Sequence, residues 1–487
     1  MHPECSLWLN RRWISRFMTT FYIEQFGCRA TQADGAAIER QLRDQGFRAE
    51  DNRTAADVVV LNTCTVTAAA DTQARDAIRK IHAANPHSCI IVTGCYAQRA
   101  PEELATLPGV LFVVGNSHKP QIPSLANRIE TLRKVSSRSE FLPVEILGST
   151  ATAPEDRTAQ ILTGDIFALT DVLVAPVLGG EGNHTRPTLK IQDGCNSRCS
   201  FCVIPFVRGR SRSLSSATVL SELQRLANSG FKEIVLSGIN LGTYGRDLSP
   251  RVDFLELLGR ILGETAVERL RISSIEPLDV SEDLIGLFAS TERIAPHFHM
   301  PLQSGSDRLL AAMHRWYRAE HYARRVELIR ERLPNAALGA DVICGFPGET
   351  EAEHQVTMRF IEERSFTYLH VFSYSSRPGT KAASLPGHIP GHLIKRRARE
   401  LRTLGEAKAK AFRRSQIGRR LRVLTLRRDA NIGSDETKAL AENYVPVKLF
   451  ETLPPNQFLT VVAASLDGNQ LLGSPLDASA SAVVGAA

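Results

Sequence analysis

From Thr20 to about Asn116, short apolar runs rich in β-branched residues alternate with amphipathic segments. The runs FYIEQFG, DVVVLN, SCIIVTG and VLFVVG are separated by helical periodicity near residues 32–45, 68–84 and 101–106. This alternation predicts a parallel sheet covered by helices. A second α/β pattern runs from about Arg186 to Lys395, with strand candidates TLKIQ, EIVLSG, RLRISSI, HFHMPLQ, LGADVICG and YLHVFSYS. Six repeats predict a partial (βα)6 barrel with its site at the carboxyl ends of the strands, not the full eight-unit closure. Beyond about Arg413 helical periodicity fades, and RRLRVLTLR, VPVKLF and FLTVVAASL predict the strands of a small β-barrel. Residues 117–186 are poorly patterned: ATAPEDRTA and LGGEGNHTRP read as linker, with ILTGDIFALTDVLV unassigned between them.

The fold class is therefore α/β. The expected divisions are an extension over 1–18, an N-terminal parallel α/β domain over 19–125, a linker over 126–181, a barrel core over 182–411, a small β-barrel over 412–477 and a disordered tail over 478–487. No apolar run approaches the roughly 20 residues that span a bilayer. Arg11 and Arg12 invite an export reading, but the following TTFYIEQFGC carries Glu24 and Gln25 where an apolar stretch is needed. Export is rejected, and Met18 is an alternative first residue.

Charge and cysteines change the picture most. Residues 395–428 hold fourteen Lys/Arg against Glu400 and Glu406, a net +12 that leaves about −5 for the rest of a chain of net charge +7. A solvated helix face is the bland explanation; this density favours a nucleic-acid partner, with the basic first strand of the small barrel as an RNA-facing surface. Nine cysteines in a chain without a secretion signal do not suggest disulfides, and the implied compartment is a reducing cytoplasm. Cys89 and Cys344 sit inside apolar runs and read as packed core. Cys5 lies in the extension. Cys28, Cys64 and Cys95 each follow one of the first three strand runs, where ligands of open α/β sheets gather, so a metal site is expected there.

Cys195, Cys199 and Cys202 form CxxxCxxC after the first barrel strand. A [4Fe–4S] cube normally takes one thiolate per iron, so three cysteines leave an iron open to chelate the amino and carboxylate groups of S-adenosylmethionine (SAM). A zinc site would need a fourth nearby ligand, and His184 lies upstream in a Gly-rich stretch. A thioredoxin-like Cys199–Cys202 pair would leave Cys195 surplus.

At these residues the sequence resembles the methylthiotransferases, radical SAM enzymes that insert a methylthio group at an unactivated carbon. The resemblance runs from about Phe21 to Leu471 through FGCRATQAD (26–34), NTCTVT (62–67), GCYAQ (94–98), GCNSRCSFCVIPFVRGRSRS (194–213), LSGINLGTYG (236–245), PLQSGSD (301–307) and GFPGET (345–350). It implies that 182–411 is a radical SAM core and 412–477 a TRAM-like domain. It implies two [4Fe–4S] clusters: one on Cys195, Cys199 and Cys202 that works with SAM to make a radical, and one on Cys28, Cys64 and Cys95 that carries the sulfur to be transferred.

NTCTVT, RGRSRS, LSGINLGTYG and HVFSYSSRPGT (370–380) look like the subgroup acting at C2 of N6-threonylcarbamoyladenosine beside the tRNA anticodon. The implied partners are a tRNA anticodon loop, an electron donor such as flavodoxin or ferredoxin and an unidentified sulfur donor, with no membrane. The alternatives are the same chemistry on isopentenyladenosine in tRNA or on an aspartate of a ribosomal protein, and a non-catalytic iron–sulfur RNA-binding protein. Two positions depart from the family pattern, Thr31 in place of Asn and Ser306 near a position often Cys. Thr31 can still hydrogen-bond, and Ser306 is not a required ligand.

Ser237, Gly238, Ser274, Glu276 and Gln303 lie at strand ends where SAM is expected, and His299 is expected to line the same pocket. His297 and His299 share a strand face, so an HxH metal pair is the alternative. Trp316 reads as helix core, while Arg208 and Arg210 are expected to meet either substrate or the N-terminal domain.

Overall fold

The computed structural model describes residues 19–137, 159–177, 185–427 and 436–476. The expected extension and tail, His184, Arg428, Cys5 and much of the expected linker lie outside the described residues. The chain divides into two compact units: residues 1–175 with 203–210, and residues 176–202 with 211–487.

The first unit is a six-stranded, all-parallel sheet. Its strands are β1 Thr20–Gln25, β2 Arg48–Ala49, β3 Val58–Thr63, β4 Cys89–Gly94, β5 Val110–Val114 and β6 Gln160–Leu162, in the order β2-β1-β3-β4-β5-β6. Alternation sends Val58 and Val60 into one core with Phe21, Ile38 and Leu42. Val59 and Leu61 point the other way, into a core with Ile78, Ile81 and Val92. Both faces are thus covered, which explains why β3 is apolar from Val58 through Leu61. The helices Arg29–Asp44 and Ala68–Ala84 follow β1 and β3, and Thr67 caps the second by accepting a hydrogen bond from Ala70 N.

Within 126–181 the structure places most of the helix Ile122–Ser137 and the strand β6. β6 pairs in parallel with Phe112–Val114 and completes the sheet, although only three residues long.

In the second unit, β8 Thr188–Lys190, β11 Glu233–Ser237, β12 Arg269–Ile272, β13 His297–His299, β14 Ala337–Cys344 and β15 Tyr368–Ser373 form the parallel strands of a (βα)6 partial barrel. The isolated bridges Leu270↔Ile294 and Ser274↔His299 join its two halves. A short β7, Pro176–Val177, runs antiparallel to β8. β9 Gln192–Asp193 pairs with β10 Arg212–Ser213, closing the base of the loop that carries the CxxxCxxC cysteines.

The helix Gly391–Arg414 leads into a closed five-stranded barrel of β16 Arg420–Thr425, β17 Thr437–Ala441, β18 Pro446–Leu449, β19 Phe458–Asp467 and β20 Gln470–Pro475. Its core gathers Leu421, Val423, Val447, Val461 and Leu471. Arg271 ties it to the (βα)6 strands by donating to Ala441 O and Glu442 O at 3.2 and 3.0 Å. Among the described residues no helix is long and apolar enough to cross a membrane.

Candidate functional site

In the first unit, Cys28 is the residue that opens the helix after β1, Cys64 directly follows β3, and Cys95 directly follows β4. These strands are neighbours, so the parallel register brings the three thiols to one edge of the sheet. Two glycines make the close approach workable. Gly27 has φ +107°, and a Cβ there would lie 2.5 Å from Cys64 Cβ; Gly94 has φ +101°, and a Cβ there would lie 2.3 Å from the Thr63 carbonyl. Burial, then the neighbouring Cys95 and Cys28, push the Cys64 thiol up to about 12, while Arg208 pulls the other way.

Around the thiols stands a buried polar shell. Asn116 Nδ2 approaches Cys95 Sγ at 3.7 Å and donates to Val207 O at 2.6 Å. Thr31 Oγ1 lies 3.6 Å from Cys28 Sγ. Asp34, itself buried, pairs with Lys119 at 2.5 Å and with Arg208 at 2.9 Å. Arg208 therefore meets the N-terminal domain, one of the two options open from sequence. Lys119 and Asp34 were not singled out from the sequence, where a lone Lys and Asp carry no signal.

In the second unit, Gln192 organises the start of the cysteine loop. Its Nε2 donates to Gly194 O at 2.8 Å and Ser211 Oγ at 2.8 Å. Its Oε1 accepts from Ile239 N at 2.9 Å and Asn240 N at 2.8 Å. Ser237 and Gly238 thereby sit beside the loop; a Cβ on Gly238 would meet Gln192 Oε1 at 2.9 Å. Ser200 anchors the other end, donating from N to Met313 O and from Oγ to Ala312 O.

Ser197 N donates to Cys195 Sγ at 3.4 Å. Arg315 donates to Cys199 Sγ at 3.3 Å and is ion-paired with Glu276. Burial raises the Cys199 thiol and the Glu276 carboxyl, and Arg315 opposes both shifts. Arg315 was missed from sequence; it lies in a turn between helices, without periodicity to mark it. Its neighbour Trp316, expected as helix core, is 80% exposed, because that turn leaves the indole outside either helix.

Gln303 has φ +64°, uncommon for a residue with a Cβ, and its carbonyl accepts from Ile343 N at 2.9 Å. Such backbone persists where surrounding contacts over-determine it, often at sites that bind ligands. Ser274 pairs with His299. Among the described residues, His299 and His297 do not fall in one group of converging metal-ligand atoms. Instead, His299, Asp341 and His370 present ligand atoms all within 4.8 Å of one another, a group that could also take a metal ion. Register explains the meeting: His299 pairs with Gly339, and Asp341 with His370, so alternation puts all three side chains on one face. Burial pushes the Asp341 carboxyl up, but hydrogen bonds from His299 and His370 outweigh it and hold the group well below the usual carboxylate range.

Cys95 and Cys28 both act on the Cys64 thiol, and Cys195 acts on the Cys199 thiol, so thiols draw together in each set. Converging thiolates suit a multi-iron cluster that takes one thiolate per iron.

Comparison with known proteins agrees with this arrangement. Residues 20–115 match the family described as "Uncharacterized protein family UPF0004", and residues 189–361 match the Radical SAM superfamily. The threonylcarbamoyladenosine tRNA methylthiotransferase MtaB of Aquifex aeolicus (strain VF5) is 37% identical over 87% of this chain and 95% of its own length. The tRNA-2-methylthio-N(6)-dimethylallyladenosine synthase of Syntrophobacter fumaroxidans is 36% identical over 79% of each chain. A solved structure of the radical S-adenosylmethionine methyltransferase TsrM from Kitasatospora setae matches with TM-score 0.54, covering 75% of each chain at 16% identity, a likeness of fold. The chain belongs to the radical SAM methylthiotransferase family, whose enzymes work with S-adenosylmethionine and [4Fe–4S] clusters.

Proposed function

We propose that this protein adds a methylthio group at C2 of N6-threonylcarbamoyladenosine beside the anticodon of tRNA. The observation that carries the reading is the presence of two three-cysteine sites, each at the carboxyl ends of parallel strands, in a chain whose relatives include a threonylcarbamoyladenosine tRNA methylthiotransferase. Cys195, Cys199 and Cys202 hold one [4Fe–4S] cluster and Cys28, Cys64 and Cys95 the other. With SAM, these cofactors supply one-electron chemistry that opens an unactivated C–H bond, and the sulfur that replaces the hydrogen.

The residues around them bind and orient. Ser237 and Gly238 let the methionine end of SAM approach the backbone, Glu276 and Arg315 present opposite charges beside Cys199, and Gln303, Ser274 and His299 line the pocket. Exposed cations on the helix Gly391–Arg414, among them Arg399, Arg402 and Lys410, supply phosphate contacts for the RNA. A single-stranded loop makes it inexpensive for the target base to leave its stack. The setting is the cytoplasm, with an electron donor such as flavodoxin or ferredoxin and a separate sulfur donor.

Nucleoside mass spectrometry of tRNA from a strain lacking this gene tests the reading. Loss of methylthio-threonylcarbamoyladenosine, with its unmethylthiolated precursor accumulating, is expected; an unchanged profile excludes it.

A further inference from the structure

Relatives named for threonylcarbamoyladenosine and for dimethylallyladenosine match this chain at nearly equal identity, 37% and 36%. Overall identity therefore does not say which residues select the substituent. A cluster inside the (βα)6 barrel does.

Tyr444, on the turn between β17 and β18, stacks on His297 of β13 with ring centroids 4.6 Å apart and lies 5.9 Å from Tyr368 of β15. The Arg271 guanidinium of β12 lies 5.3 Å from the same ring. One side chain meeting three strands marks their shared face as the barrel interior. On that face a hydrogen-bonded chain climbs away from Tyr444. His297 Nε2 lies 2.7 Å from Tyr368 Oη, which lies 3.0 Å from His299 Nδ1; His299 Nε2 and His370 Nδ1 lie 2.9 and 3.1 Å from Asp341 Oδ1.

With each imidazole neutral, one donor order satisfies every link. His297 donates to Tyr368, Tyr368 donates to His299, and His299 and His370 both donate to the Asp341 carboxylate. That order turns the other nitrogen of His370, Nε2, away from Asp341 as an acceptor. The His299 side chain is 7% exposed, whereas that of His370 is 56% exposed. A network serving only to join strands would be buried to its end; this one finishes at an open imidazole. It is also close to the SAM side of the pocket, since the Asp341 charge acts on Glu276 and the Asp341 carbonyl accepts from Gln303 N at 2.8 Å.

The geometry points to His370, set by Asp341 and His299, as the specificity-determining residue that selects a polar, amino-acid-derived substituent on the target adenine. This rests on the tRNA reading above. A threonylcarbamoyl group carries urea N–H groups, a hydroxyl and a carboxylate, and can replace the water that it displaces from the cluster. A dimethylallyl group is a hydrocarbon and would strip that water without replacing its hydrogen bonds. Sites built to hydrogen-bond a substrate group reject the analogue lacking it far more strongly than apolar pockets reject an extra methylene.

The test uses the reconstituted full-length enzyme with two anticodon stem-loop RNAs, identical except for threonylcarbamoyladenosine or isopentenyladenosine at the target. The wild type is expected to favour the first in kcat/KM by about a hundredfold or more. His370→Leu should narrow that ratio about tenfold, chiefly by raising KM for the threonylcarbamoyl RNA, and His370→Gln, which keeps a hydrogen-bonding end, should restore much of it. A merely structural role would depress both RNAs alike. An unchanged ratio in His370→Leu, or an equal loss on both RNAs, overturns the inference while leaving the proposed function standing. A wild type that prefers the isopentenyl RNA, or modifies neither, overturns both.

Discussion

Glu233→Gln should destabilise the second unit more than any exposed substitution, because it removes the anion from a cluster of buried guanidinium groups. Glu233, Arg269 and Arg271 are all fully buried; the carboxylate accepts from Arg269 Nε at 2.6 Å and Arg271 Nε at 2.7 Å, with Arg186 at 3.3 Å. Glutamine keeps the shape, loses the charge and turns an N–H toward other N–H donors. Breaking a buried ion pair by removing one partner costs about 3–5 kcal/mol. At about 2 °C per kcal/mol for a unit of this size, the melting temperature should fall by about 6–10 °C. Arg186→Gln removes a 23%-exposed partner that water can replace and should cost about 1 kcal/mol.

The pH dependence has a definite sign. Burial alone would raise the Glu233 carboxyl, but Arg271 and then Arg269 outweigh it and hold the group far below the ordinary carboxylate range. Its contribution is therefore fully present above about pH 4.3, the unfolded value, and is lost only as pH falls below it toward the depressed folded value. Anaerobic thermal unfolding followed by circular dichroism reads both effects. A Glu233→Gln melting point within about 1 °C of wild type near neutral pH would refute the reasoning, since it would mean the arginines need no anion.

Other outcomes follow from the two cysteine sites and the basic helix. Cys199→Ala should abolish deoxyadenosine release from SAM, whereas Cys64→Ala should keep release, lose methylthio product and lose about four irons per chain by iron analysis. Replacing Arg399, Arg402 and Lys410 with Ala should flatten the salt dependence of RNA affinity, lowering the slope of log K against log salt by about 2 in a filter-binding titration. Trp316→Ala should weaken stem-loop binding about tenfold in the same titration, because the exposed indole offers a base a stacking face, with no change in melting temperature.

The strand–helix alternation was plain in the sequence because period-2 and period-3.6 apolar patterns are local signals. The cysteine positions at strand ends were equally plain, since a parallel sheet puts every such end on one edge. The structure adds what depends on register or long-range pairing. β6 is three residues of modest pattern that become a strand only by pairing with Phe112–Val114. β16 and β20 close the barrel by pairing with β19 and β18, strands that are not their neighbours in sequence. Glu233, Arg269 and Arg271 look like solvent-facing positions in half-buried strands, yet they satisfy one another inside the barrel. Asp341 and His370 are 29 residues apart, and only the β14–β15 register shows that they meet. Gln192 and Arg315 act through single side chains reaching across loops, which no periodicity announces.

The central claim is that two cysteine sites and a basic RNA-binding tail serve one reaction on a modified adenosine. It is tested most directly by incubating the anaerobically reconstituted full-length protein with SAM, dithionite and tRNA carrying threonylcarbamoyladenosine, then measuring the digested nucleosides by mass spectrometry. The account predicts methylthio-threonylcarbamoyladenosine together with deoxyadenosine. Deoxyadenosine release without any methylthiolated nucleoside from protein holding both clusters would contradict it.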